Sequence, residues 1–267
     1  MINNWSATAF NQVPGAENEI HGDKGAKQYG FKGGLIPGAT MAAYLIHPFA
    51  KTFGMEYLKN GYAHVRLNAP LYDGEPFQVE VAAQDASSCS TSLAQSGAAH
   101  CATADIKIEA GSTLPPTMRG DAPGDKQATL MPATPENMQQ LQDEGCKAFV
   151  DRWNANHQMG TYLRDRALMA DLFANQGYAN PSFIFGMTNW LLAANIHMNP
   201  WVLVETSSQN FTPIPKGAKV LGETAIVGLF EKKGHEFVDA DINLFDADQG
   251  TCFSAVHLRA IYRLRGM

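Results

Sequence analysis

The sequence predicts an α+β fold made of two tandem copies of one unit, in each of which a buried helix is wrapped by a long antiparallel sheet. Three observations carry that expectation. The first is an internal repeat. NAPLYDGEPFQVEV at residues 68–81 is echoed by FTPIPKGAKVLGET at 211–224, and Pro70, Gly74 and Glu80 answer Pro213, Gly217 and Glu223 at a constant spacing of 143. The second is period-two alternation of apolar and polar residues, which marks antiparallel sheet with one wet face. The third is a pair of runs without a polar face, residues 41–46 and 190–194. A helix that is apolar all round must be buried on all sides.

In chain order, residues 23–29 (DKGAKQY) read as a short helix with Asp23 as its cap. The first apolar helix starts at Gly38-Ala39-Thr40 and stops at Pro48. Phe77, Val79 and Val81 then alternate with Gln78 and Glu80, and Ala102, Ala104, Ile106 and Ile108 alternate with Thr103, Asp105 and Lys107. STLPPTMRGDAPGDKQATLMPATPENMQQ, rich in Pro, Gly and Thr, reads as a surface linker. Within it residues 135–142 predict a helix, with Thr134 as cap and Pro135 in the first position. A strand is expected around residues 146–153, and an amphipathic helix over 162–173. The second apolar helix is read as starting at Gly186 and Thr188 and ending by Pro200. EKKGHE at 231–236 is a hairpin turn. Val238, Ala240, Ile242 and Leu244 form one flanking strand, and Val256, Leu258, Ala260, Tyr262 and Leu264 the last. One buried helix followed by a long antiparallel sheet is the layout of a hotdog fold, so two copies make a double hotdog. The halves are residues 1–110 and 146–267, joined by a linker over 111–145.

The bulk composition narrows the function. The 267 residues are 45% hydrophobic and 17% charged, as in an ordinary globular protein, with a net charge of −6 and no basic patch. Nucleic acid is therefore not an expected partner. No run of 18 apolar residues occurs, so no membrane-spanning helix is expected. The N-terminus MINNWSATAF lacks the pattern of a signal peptide. The four cysteines lack CxxC spacing and read as free, buried thiols in a reducing cytoplasm. Histidines with HxH or HExxH spacing are absent, so no metal is expected; GxSxG and GxGxxG are absent too.

The segment NEIHGDKGAKQYGFKGGLIPGAT, residues 18–40, holds the sharpest signal. It places Asn18 and His21 before a short helix, a Gly30-Phe31-Lys32-Gly33-Gly34 loop and an Ile36-Pro37-Gly38 helix start. In these features it resembles the MaoC-like hydratase/dehydratase family of hotdog proteins. The detailed match covers about 30 residues, and the double-hotdog layout covers the chain. The family's Asp, five residues before the His, is Ala16 here, and the His of its His-Gly pair is Pro37. The resemblance implies an acyl thioester substrate, on coenzyme A or an acyl carrier, and reversible hydration of a 2-enoyl group. It implies no cofactor beyond the coenzyme A of the substrate.

Each candidate has a plain structural reading beside the functional one. His21 is either a loop histidine bonded to a backbone carbonyl or the general base, since an ordinary imidazole titrates near neutrality. Its partner is read as Glu17 or Asn18. Gly33, Gly34 and Gly38 supply backbone freedom, or they approach substrate together with Ala39. The Gly38 and Ala39 N–H groups, at the start of a buried helix, lack intrahelical partners and would face a thioester carbonyl. Trp190, with Trp201, Phe183 and Tyr178, is either core or the wall of an acyl tunnel. In the second half Tyr162, Arg164 and Asp165 stand where His21 stands, so that half is expected to lack the chemistry. His64, Asn68, His47, His197 and His257 are read as structural. The expected activity is a hydro-lyase. A hotdog thioesterase, or a non-catalytic acyl-CoA-binding or accessory subunit, stays open. Two fused halves already mimic a hotdog dimer, so a monomer or a homodimer is expected.

Overall fold

The computed structural model describes residues 1–95, 100–111, 113–154 and 156–266; Ser112 of the expected linker lies outside them. The first half runs β1 (Trp5–Thr8), α1 (Asp23–Gln28), α2 (Gly38–Phe53), α3 (Met55–Asn60), β2 (Gly61–Leu67), β3 (Pro76–Ala82), β4 (Ser88–Gln95) and β5 (His100–Ile108). Then come α4 (Pro135–Glu144), β6 (Phe149–Arg152), α5 (Asp171–Ala174), α6 (Pro181–Ala193), β7 (Val202–Asn210), β8 (Lys219–Lys232), β9 (His235–Asp246) and β10 (Cys252–Arg263). All ten strands join one antiparallel sheet in the order β1-β3-β4-β5-β2-β7-β10-β9-β8-β6. The second five strands are the first five in mirror order. The fold is a double hotdog.

The repeat spacing of 143 extends through the architecture. β3 begins at Pro76 and β8 at Lys219, and α2 begins at Gly38 and α6 at Pro181. Gly74 and Gly217, just before the paired strands, both take left-handed backbone angles (φ 77° and 85°) that glycine adopts without strain. At the centre of the sheet β2 and β7 pair with His64 opposite Ser207, its own counterpart in the repeat. The pseudo-twofold axis therefore passes through this pair.

Both apolar helices lie against the sheet and against each other, as their lack of a polar face requires. Every α2 residue from Ala39 to Ala50 is buried. Tyr44 stacks on Phe77 of β3 at 4.3 Å between ring centres, and its hydroxyl accepts a hydrogen bond from the Phe10 N–H. All four cysteines are buried and free.

Several elements differ from the sequence reading. α2 continues through Pro48 for five more residues to Phe53. α6 starts at Pro181 rather than Gly186, because Asn180 caps it by accepting a hydrogen bond from the Phe183 N–H. Gly186 falls mid-helix, where a Cβ would crowd Met159. Residues 162–173 form no amphipathic helix: a 3-10 turn at Arg166–Leu168 and the single turn of α5 stand there. Asp23 does not cap α1; its carboxylate instead accepts from the Gly34 N–H. α4 does carry its Thr134 cap. The linker is held down by the buried Glu223, whose carboxylate accepts from the N–H groups of Arg119, Gly120 and Asp121 at 2.7–3.1 Å. Its repeat partner Glu80 is exposed.

His47 ties the halves together inside the core. Its Nδ1 lies 2.8 Å from the hydroxyl of Tyr162, and burial, aided by the charge of Lys51, pushes the imidazole down to about 4. An unfolded chain binds that proton near pH 6.5, so this contribution is complete above pH 6.5 and shrinks as the pH falls toward 4. The full difference corresponds to about 3 kcal/mol. Urea denaturation at pH 7.5 and pH 5 should show a loss of about 2 kcal/mol from this group at the lower pH. His47→Gln, which keeps a partner for the Tyr162 hydroxyl but cannot titrate, should flatten that dependence.

Candidate active site

The segment before α2 folds back on itself so that His21 is held beside the helix start. The Leu35 N–H donates to the Ile20 carbonyl, and the Ile36 N–H to the Leu71 carbonyl. His21 Nδ1 lies 2.9 Å from the Leu35 carbonyl oxygen. A carbonyl only accepts, so Nδ1 carries the hydrogen and the neutral ring presents a bare Nε2. Leu35 is three residues before Gly38, so this one bond fixes the tautomer and ties the ring to the segment that leads into the helix. Gly34 makes the fold-back possible: a Cβ there would sit 2.4 Å from the His21 carbonyl oxygen.

The second half grips the same segment. Asn18 Nδ2 donates to the Trp201 carbonyl at 2.9 Å, and the Trp201 N–H donates to Asn18 Oδ1 at 3.3 Å. Asn199 Oδ1 accepts from the Glu19 N–H.

Two cavities flank the start of α2. An apolar one of about 270 Å³ is lined by Ile20, Phe31, Leu35, Met41, Leu203 and Ile261 among others, with Gly38 at the helix tip. A more polar one of about 440 Å³ reaches Pro37, Ala39, Glu17, Asp151, His157 and Trp190. Four residues line both: Asn18, His21, Asn189 and Trp201. The two cavities are thus arms on either side of a shared wall that includes His21.

The tip of α2 is bare. Pro37 precedes it without a side-chain cap, and among the described residues the Gly38 and Ala39 N–H groups meet no acceptor. Such a tip attracts a carbonyl oxygen or an anion. Gly38 sits directly over the central strand pair, where a Cβ would come 2.6 Å from Leu67 Cδ1 and 3.1 Å from Leu203 Cδ2. The corresponding tip of α6 is closed. Pro181, at the position of Gly38, has no N–H, and Asn180 caps the turn. Arg164, the repeat partner of His21, is exposed and ion-paired with Asp73.

His21 is half-buried, and desolvation of its ring lowers its pKa, outweighing the opposing hydrogen bond to Leu35. The ring is therefore neutral at pH 7, with Nε2 able to take a proton.

The expected partners of His21 are placed differently from the sequence reading. The Leu35 carbonyl holds the ring, while Asn18 spends its amide on Trp201 and Glu17 is an exposed wall residue of the polar arm. Gly33 and Gly34 line a third, outer cavity on the far side of His21 with Lys32, Asp73 and Glu75, and the Gly34 N–H is taken by Asp23. Trp190 and Trp201 line the arms, whereas Phe183 is fully enclosed core. Sequence reasoning passed over Asn189. Its signal was present: it is the one carboxamide in an otherwise almost wholly apolar helix. His157 and Asp151, with Nε2 and Oδ2 3.5 Å apart, were also not foreseen in the polar arm.

No protein-family model matches the chain, and no curated protein is matched by it. Solved structures do match over nearly its whole length. RV0216 of Mycobacterium tuberculosis, described as a double hotdog, superposes with a TM-score of 0.57 at 8% identity, covering 98% of this chain and 96% of that one. A MaoC-like dehydratase gives 0.55 at 10% identity over 98% of both chains. A proposed thioesterase II of Thermobifida fusca YX gives 0.52 at 12%, covering 97% and 92%. The class is thus that of double-hotdog proteins, and MaoC-like dehydratases are among its structural neighbours. Among the described residues no helix is long and apolar enough to cross a membrane.

Replacing Gly34 by Ala should push the fold-back away from His21. The expected cost is about 1–3 kcal/mol by thermal or urea denaturation, because the clash is with backbone. Gly33→Ala, whose Cβ meets only the Asp23 carboxylate at 3.2 Å, should cost less.

Proposed function

We propose that the chain catalyses reversible addition of water to a 2-enoyl thioester, giving the 3-hydroxyacyl thioester. One observation carries the reading: a histidine with a fixed tautomer and a bare Nε2 lines the same cavities as the uncapped tip of a buried helix. The thioester carbonyl would rest on the Gly38 and Ala39 N–H groups. His21 Nε2 takes a proton from water as the oxygen bonds to the β-carbon. The electrons of the C=C bond move toward the thioester oxygen, and the helix tip stabilises the enolate as it forms. One such donor is worth about 3–4 kcal/mol in other enzymes. The imidazolium then returns the proton to the α-carbon, which restores the carbonyl and the neutral ring. The sum is H and OH added across the double bond.

With a single base on one side, both atoms arrive on the same face. The step needs no metal or redox cofactor, because the thioester carbonyl itself accepts the charge. The apolar arm suits the acyl chain and the polar arm the thiol carrier. Among the described residues no Lys or Arg lines either arm, so the phosphates of coenzyme A would lie outside them.

Crotonyl-CoA is the first substrate to try. Loss of the enoyl-thioester absorbance without release of free thiol is the expected result; free thiol would identify a thioesterase, and neither signal a binder or accessory subunit. His21→Ala should lower kcat/KM by roughly 10²–10⁴. The acid limb of the pH–rate profile should fall below the ordinary histidine value of 6.5, since burial lowers the His21 pKa.

A further inference from the structure

The wall shared by the two arms has four residues, and three are accounted for. Asn18 is tied at both ends of its amide to the Trp201 backbone, which thereby loses its own N–H and carbonyl. His21 spends Nδ1 on Leu35. The fourth, Asn189, is half-buried on α6, and its side chain makes no hydrogen bond among the described residues. Its neighbour Thr188 is satisfied inside the helix by the Phe185 carbonyl. A carboxamide that protrudes into a cavity junction unpaired leaves one acceptor and two donors unused. The repeat offers no structural reason for it: the corresponding residue of α2 is Ile46, fully buried in the core.

Hydration makes a demand that His21 cannot meet alone. A water held only by Nε2 is free to rotate, so its attacking lone pair has no fixed direction. A second acceptor for its other hydrogen removes that freedom. Ala16, also in the polar arm, offers no polar side-chain group.

We propose that Asn189 is a catalytic residue that binds the attacking water together with His21, its Oδ1 accepting the hydrogen that His21 does not take. In the reverse direction the same oxygen holds the 3-hydroxyl as it leaves. The carboxamide takes no proton, so the proton ledger stays with His21: one hydrogen passes to Nε2 and on to the α-carbon, the other stays on the new hydroxyl. The site is thus assembled from both halves, with the base and oxyanion donors from the first and the water ligand from the second. This rests on the hydration reading.

Charged groups facing the junction bear on its pH behaviour. Along the polar arm these are Glu17, Asp151, His157 and His197. The outer side of His21 adds Asp23, Lys32, Asp73 and Glu75, and the apolar arm adds none.

The test uses the full chain with trans-2-enoyl-CoA substrates, crotonyl-CoA first and longer chains after it. Asn189→Ala should lower kcat roughly tenfold to a hundredfold and leave KM near the wild-type value. Its melting temperature should be close to wild type, because the side chain makes no bond that folding needs. Asn189→Asp keeps the acceptor, so it should recover part of the rate. Its carboxylate should also move the acid limb to higher pH by favouring the imidazolium of His21; a residue that only supports the fold would not move that limb. Wild-type kcat in Asn189→Ala beside an inactive His21→Ala overturns the assignment and leaves the hydration reading standing. So does an unmoved acid limb in Asn189→Asp. A wild-type chain that hydrates no enoyl-CoA overturns the hydration reading, and this assignment with it.

Discussion

Five residue pairs between β2 and β7, from Tyr62 opposite Gln209 to Arg66 opposite Glu205, are where the two halves become one sheet. Because the axis runs through His64 and Ser207, the pairing brings α2 and α6 side by side over a common sheet. The residues leading into β7 then lie at the start of α2. Leu203 reaches the Gly38 backbone, and Trp201 clasps Asn18, three residues before His21. A slip of one residue in this register would turn every side chain of β7 to the opposite face and pull the wall of the cavity away from the histidine. The junction between halves is therefore what places the candidate site, with His21 and the tip of α2 from the first half and Asn189 and Trp201 in its wall from the second.

Duplication supplied two equivalent helix starts, and the chain uses them differently. At α6 a proline removes one N–H and an asparagine satisfies another, which gives a well-terminated core helix. At α2 the preceding residue is a proline with no side chain to offer, and a glycine opens the helix against two leucines. Leaving a helix uncapped costs about 0.5–2 kcal/mol. The first half carries that cost next to a cavity and a histidine, while the second half avoids it where its counterpart of the histidine is an exposed, ion-paired arginine. The asymmetry distinguishes the candidate site at the start of α2 from the closed helix start of α6.

Much of the fold was legible because it depends on local pattern. Period-two runs found β3, β5, β9 and β10, and the Pro/Gly spacing exposed the repeat. Errors arose where a local signal competed with a tertiary one. Gly186 resembles Gly38 in its flanking Thr, but that pairing breaks the spacing of 143; the true counterpart is Pro181, and the Asn180 cap precedes it. Pro48 reads as a stop, yet the helix continues past it through the buried Phe49 and Ala50 to Phe53. For the site, His21 and Gly38 could be named from the sequence, since a loop histidine and a glycine-started apolar helix are local features. The Leu35 carbonyl, the Asn18–Trp201 clasp and Asn189 could not be assigned their parts, because each depends on which backbone or cavity wall the chain meets up to 183 residues away.

The choice of a carbonyl rather than a carboxylate behind His21 has a chemical consequence. A carboxylate on Nδ1 would favour the imidazolium and raise the pKa of the ring. The Leu35 carbonyl fixes the same tautomer with only a weak pull in that direction, and desolvation prevails. The result is an imidazole that is neutral at physiological pH and whose conjugate acid gives up its proton readily. In the proposed hydration a single group would first take a proton from water and then deliver it to carbon, and it would benefit from that balance because the imidazolium is not trapped by a counter-charge. The enolate oxygen would rest on the bare tip of α2 and carry the negative charge meanwhile, so that charge separation would be shared between helix and histidine without a buried ion pair.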